Sequence, residues 1–168
     1  QDLPEDGADD PIPLELEVRP FLESIEKLYE KQSVNDVGRA AGQGLGQFFS
    51  RVAVGRFSAS GLHLLGYRGF SPAQVSMPLD SIPSISGAAG NRAFAYGTPA
   101  DDRRIGEIIC ALGVEEAPVG LIAMVGGDSG APLFFYGDNG EDPRIYDDLH
   151  DIELLLKEVE TALGMLNL

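Results

Sequence analysis

The sequence predicts an α+β fold, a three-layer α–β–α sandwich around one antiparallel sheet. Three observations carry this. Helical patterns stand at both ends of the chain, with strand-like segments grouped as two hairpins between them. The hairpin strands are apolar on both faces: Leu121, Ile122, Ala123, Met124 and Val125 follow one another without alternation. A sheet with one wet face alternates, so a layer is expected on each side. A chain of 168 residues, 43% of them hydrophobic, fits one domain with a core.

Residues 1–13 read as an acidic linker. Asp2, Glu5, Asp6, Asp9 and Asp10 are interleaved with Pro4, Pro11 and Pro13, a composition that cannot bury enough surface to fold alone. The domain proper is expected over 14–168. Its first helix is expected over about 15–31, with Val18, Leu22, Ile25 and Tyr29 at helical spacing and Phe21 and Leu28 widening the stripe. Pro20 sits near its start, where a missing N–H does no harm. Ser33-Val34-Asn35-Asp36 looks like a capping box and opens a second helix, whose apolar face is Val37, Ala41, Leu45 and Phe48. Gly38, Gly42, Gly44 and Gly46 are poor helix formers, each up to about 1 kcal/mol worse than Ala. Close packing of this helix on a neighbour would explain them.

Arg51 to Phe57 and Leu62 to Tyr67 read as a hairpin closed by Ser58-Ala59-Ser60-Gly61. A second hairpin pairs Val119–Val125 with Leu133–Tyr136 across Gly126 to Gly130. Between the hairpins, about 50 residues give weaker signals: a short strand at 75–79, a short helix within 81–89 and a better helix over 101–112. A long structured connection of this kind usually carries function.

The last helix begins after Pro143. Ile145, Leu149, Ile152, Leu156, Val159, Leu163 and Leu166 alternate steps of four and three, which makes three heptads of seam. The seam serves either the domain's own sheet and first helix or a second copy of the chain. Leu154, Leu155 and Leu168 lie off it. The candidate dimer interface is therefore Leu149, Ile152, Leu156, Val159 and Leu163, packed together with the first helix.

Twelve Lys and Arg face 27 Asp and Glu, a net charge of −15. Such a surface repels phosphate backbones and anionic lipid, so neither nucleic acid nor membrane is an expected partner. No apolar run reaches the roughly 18 residues that a spanning helix needs. One cysteine, Cys110, excludes an internal disulfide or a multi-thiolate zinc site. A cytoplasmic location fits.

The order helix, helix, hairpin, long crossover, hairpin, long helix resembles a GAF domain. Phe48 to Phe57 looks like the helix end and first strand of bacterial GAF-like modules. Gly66-Tyr67-Arg68-Gly69-Phe70 is similar to the close of their second strand, and Ala131 to Asp138 to their last strand with its Gly-Asp ending. The resemblance covers about residues 34–167. PAS-like and roadblock-like sandwiches are the alternatives, and the long crossover favours GAF over roadblock. The resemblance implies terminal helices on one sheet face, and a crossover over the other that often forms a ligand pocket. Candidate lining residues are Tyr67, Met77, Ile82, Phe94, Tyr96 and Ile109.

The known ligand signatures are absent. No Asn-Lys…Phe…Asp-Glu pattern of cyclic-nucleotide GAF domains occurs, and the cysteines of the sulfoxide-reducing GAF enzymes are lacking. Cys110 lies on an apolar helical stripe and reads as core, not as a bilin anchor. His63, between Leu62 and Leu64, and His150, on the last helix, read as structural and surface residues. Gly127-Asp128-Ser129-Gly130 resembles the nucleophile motif of chymotrypsin-like proteases, but no suitable His accompanies it and the residues are those of a hairpin turn. Gly87 to Arg92 lacks the Lys of a phosphate loop. Arg92, Arg103 and Arg104 could meet an anionic ligand or acidic partner. No metal, cofactor or catalytic residue is expected. The expected function is a non-enzymatic adaptor that binds itself or another protein in a bacterial signalling or assembly system. The alternative is a small-molecule sensor.

Overall fold

The structure is a computed structural model that describes residues 11–16, 18–58, 61–71, 93–97, 120–125, 133–140 and 149–166, with backbone alone at 57, 58, 61, 62 and 93–97. Its strands are β1 (Ile12–Pro13), β2 (Arg51–Ser58), β3 (Gly61–Arg68), β4 (Ala93–Gly97), β5 (Gly120–Val125) and β6 (Leu133–Asp138). They form one sheet in the order β1-β3-β2-β6-β5-β4. Both expected hairpins are present, and β2 joins them by pairing with β6, Ala53 opposite Tyr136. β1 is parallel to β3, and the other pairings are antiparallel. β1 falls inside the segment expected to be a linker. β4 lies where no strand was expected. The segments 75–79, 81–89 and 101–112 lie outside the described residues.

The helices are α1 (Phe21–Tyr29), α2 (Val34–Leu45) and α3 (His150–Gly164). α1 is shorter than the expected 15–31. Pro20 is its N-cap, with ψ 146°, and a proline disfavours helical geometry at the residue before it. α2 starts as expected: the Ser33 hydroxyl accepts the Asp36 N–H at 3.1 Å. α2 touches β2, β3 and β6 on one side and α1 and α3 on the other, α3 also reaches β5, and α1 packs on α2 and α3.

The glycines of α2 meet the close approach that the sequence called for. A Cβ on Gly38 would sit 2.9 Å from Leu133 Cδ2, and one on Gly42 2.5 Å from Val54 Cγ2 and 2.8 Å from Leu14 Cδ1. One on Gly44 would lie 3.1 Å from Leu155 Cδ2. The helix thus rests its backbone on the sheet at two points and on α3 at a third.

Both sheet faces are closed to water. Val52, Val54, Leu121, Ala123, Val125, Leu133 and Phe135 join α1, α2 and α3 in one core cluster. Ala53, Ile122, Met124, Phe134 and Tyr136, which alternate with them along the same strands, are also buried. The two-sided apolar pattern in the sequence has this cause. The register of β2 on β3 slips between Val54 and Gly55, which leaves Leu65 without a partner on β2, as in a bulge. Its carbonyl instead accepts from Arg39 Nε of α2 at 3.1 Å.

Candidate functional site

The far face of the sheet, turned away from the helices, ends in a buried charged cluster. Asp138 closes β6 and is fully buried. One carboxylate oxygen accepts Arg51 Nε at 2.6 Å and the Gly140 N–H at 2.8 Å; the other accepts the Tyr136 hydroxyl at 2.6 Å. The Arg51 guanidinium lies 5.7 Å from the centre of the Phe70 ring, and Phe70 leans on Tyr136 at 6.5 Å. Beside them, Asn139 Oδ1 accepts the Ser50 N–H. Both oxygens of Asp138 are therefore engaged within the fold, and the cluster clasps the start of β2 to the end of β6. The sequence reading missed it. The available signal was a charge at each end of the apolar pair, Arg51 and Asp138.

Burial, then the Asp138 charge and the hydrogen bond to it, push the Tyr136 hydroxyl far above its ordinary value. The folded protein keeps this proton where the unfolded chain, titrating near about 10, loses it. The contribution to stability is whole below that pH and falls as pH rises above it. Tyr136→Phe should therefore flatten the alkaline loss of stability. Urea midpoints of both proteins at pH 8 and at pH 11 check this; equal alkaline slopes would contradict it.

Of the six residues expected to line a pocket, Tyr67 is buried on the far face. Phe94 and Tyr96 pair with Ala123 and Leu121. Met77, Ile82 and Ile109 lie outside the described residues, as do Cys110, Ser129, Arg92, Arg103 and Arg104. Of the six, the side chain of Tyr67 alone is among those described. His63 is half-buried on β3, and His150 is exposed at the start of α3. Among the described residues, no three His, Cys, Asp or Glu stand together as metal ligands, and no helix is long and apolar enough to cross a membrane.

The candidate dimer residues have another place. Ile152, Leu156, Val159 and Leu163 are buried in the domain's own core, and Leu149 packs against it. The seam of α3 is thereby used within one chain, at about 1.5–3 kcal/mol for each large side chain buried, and has almost no area left for a second copy. The surface left open is different. The stripe expected to anchor α1 is split: Phe21, Ile25 and Leu28 pack on the core, while Val18 is 87% exposed, Leu22 70% and Tyr29 39%. Ser24 is buried on the same side as Leu28. Among the described elements α1 packs chiefly on α2 and α3. The Tyr29 hydroxyl donates to Glu158 of α3. Leu154, Glu158 and Met165 follow at steps of four and seven and share that flank of α3, with Met165 70% exposed. Leu22 and Tyr29 on α1 and Met165 just after α3 are thus exposed apolar side chains of neighbouring helices.

No protein-family model matches the sequence, and no curated protein matches it. Solved structures do. A methyl-accepting chemotaxis protein is 20% identical with a TM-score of 0.58, over 84% of this chain and 94% of its own. The phycocyanobilin-bound GAF domain from a cyanobacterial phytochrome is 9% identical with a TM-score of 0.59, over 88% and 96%. The GAF domain from an Acinetobacter phosphoenolpyruvate-protein phosphotransferase is 9% identical with a TM-score of 0.58, over 86% and 90%. At these identities the likeness concerns the fold alone: the sheet with its helices on one face is a GAF-like fold.

Proposed function

We propose that this chain is a non-enzymatic GAF-like interaction domain of a signalling or assembly protein, and that it pairs with a second copy through the exposed apolar residues of α1 and the end of α3. The observation that carries this reading is the exposure of Val18 before α1 and of Leu22 and Tyr29 on it, above all Leu22. Single exposed apolar residues are ordinary, but a group of them on neighbouring helices is the form of an association surface. The terminal-helix pairing expected from the sequence is kept, with different residues: Leu22, Tyr29 and Met165 replace the α3 seam.

Mass in solution by light scattering tests it. The native chain should have twice its formula mass at micromolar concentration, and Leu22→Glu should return it to one chain with unchanged circular dichroism. A native protein of single-chain mass at high concentration would sink the proposal.

A second reading, small-molecule sensing from the far sheet face, is favoured by the burial of Tyr67 and Tyr136 there and by the bilin carried by one similar domain. Native mass spectrometry of the purified chain separates the two. A bound small molecule supports sensing, and a bare dimer supports association.

A further inference from the structure

We propose that residues 11–16 form a strap that docks and undocks as a unit of its own, with Leu14 as a knob in a socket shaped by Gly42 and Gly66. The strap pairs with β3 through Ile12 and Pro13 alone, and the Leu14 N–H then donates to the Tyr67 carbonyl at 2.7 Å. Leu14 is buried, while Ile12, Pro13, Glu15 and Leu16 around it are exposed. A single side chain therefore provides nearly all the apolar burial that holds the segment.

The socket is made by missing side chains. A Cβ on Gly66 would lie 2.7 Å from Leu14 Cδ2, 3.0 Å from Cγ and 3.2 Å from Cδ1, and these are its three nearest neighbours. A Cβ on Gly42 would meet Leu14 at 2.8 Å from the side of α2. The knob thus fits between a strand backbone and a helix backbone, each bare at that point. Segments with few buried contacts open locally, at free energies well below that of the whole domain. Undocking frees the socket on α2 and the outer side of β3 together. In the docked state the strap and α2 enclose a groove of about 320 Å3, lined in part by Ile12, Glu15, Lys31, Asp36, Arg39 and Gln43. A molecule seated there touches both walls and favours docking.

Amide hydrogen exchange on the full 168-residue chain tests the proposal. Leu14→Ala should speed exchange of the Leu14-position amide by about 10- to 100-fold, the burial lost at one leucine. The amides of Val54, Phe135 and Val159 should keep their protection. Gly66→Ala, whose new methyl meets the knob first, should do the same. Added to Leu14→Ala, it should change exchange by less than about threefold, because the pair acts through one contact. If the core amides accelerate together with the Leu14-position amide, the strap is part of the global unit and the proposal fails. It also fails if that amide keeps its native rate in both single variants, or if the two substitutions act independently.

Discussion

Asp138→Ala should destabilise the domain by roughly 3 kcal/mol, the low end of the cost of removing one partner from a buried ion pair. The low end applies because the Arg51 side chain is 20% exposed and recovers some hydration. The loss has three parts. The Arg51 guanidinium is left beside Phe70 without its carboxylate, the buried Tyr136 hydroxyl loses its acceptor, and so does the Gly140 N–H. An unsatisfied buried donor alone costs about 1–3 kcal/mol. Asp138→Asn keeps an acceptor and most of the shape, so it should lose about half as much. Urea denaturation of the three proteins at pH 7 measures both values. An Asp138→Ala midpoint equal to the native one would mean that the clasp contributes nothing.

The second large effect is expected at Gly42. Gly42→Val should destabilise by about 3 kcal/mol, the upper end of overpacking costs, although the helix loses a poor helix former. Its first added carbon already stands 2.5 Å from Val54 Cγ2 and 2.8 Å from Leu14 Cδ1. Val54 is β-branched and stiff, and it is held in the sheet between β3 and β6. Gly44→Ala is the contrasting case. There the new carbon meets the end of one leucine, Leu155 Cδ2, at 3.1 Å. The helix gains up to about 1 kcal/mol over glycine, so the net change should be near zero. Thermal melts of the two variants should therefore diverge widely, though both remove a glycine from the same helix. Similar midpoints would show that α2 does not rest on the sheet at Gly42.

Much of the fold was legible because its causes are local. Ser33 caps α2 from three residues away, and the hairpin strands declare themselves by unbroken apolar runs. The motifs behind the family resemblance also turn out to have physical causes. Gly69 has φ +82°, a conformation in which any side chain would collide with Ser50. Gly137 lies flat against Phe49, and Asp138 is the centre of the clasp.

What was not legible depends on distant partners. The stripes of α1 and α3 were both visible, but periodicity does not say what a stripe faces. The α3 seam turned inward, whereas the α1 stripe was divided, with Phe21, Ile25 and Leu28 on the core and Leu22 and Tyr29 exposed. β4, Ala-Phe-Ala-Tyr-Gly, mixes strand-favouring Phe and Tyr with Ala and Gly that are depleted in strands, and its pairing with β5 joins it to the sheet. Arg51 and Asp138 meet across 87 positions of sequence, and a charge at a strand end does not announce which charge it will meet.

β1 has a consequence for the behaviour of the protein in concentrated solution. It places Pro13, which has no N–H to offer, along the outer side of an eight-residue strand. An unprotected strand border is a template for pairing with other chains, and a proline-bearing cover is one way proteins blunt it. The strap therefore also acts as a guard against aggregation. Chains that release it present β3 to one another, and the net charge of −15 is then the remaining barrier to stacking. Salt screens that barrier, so loss of the Leu14 knob should shorten the time to turbidity most in high salt.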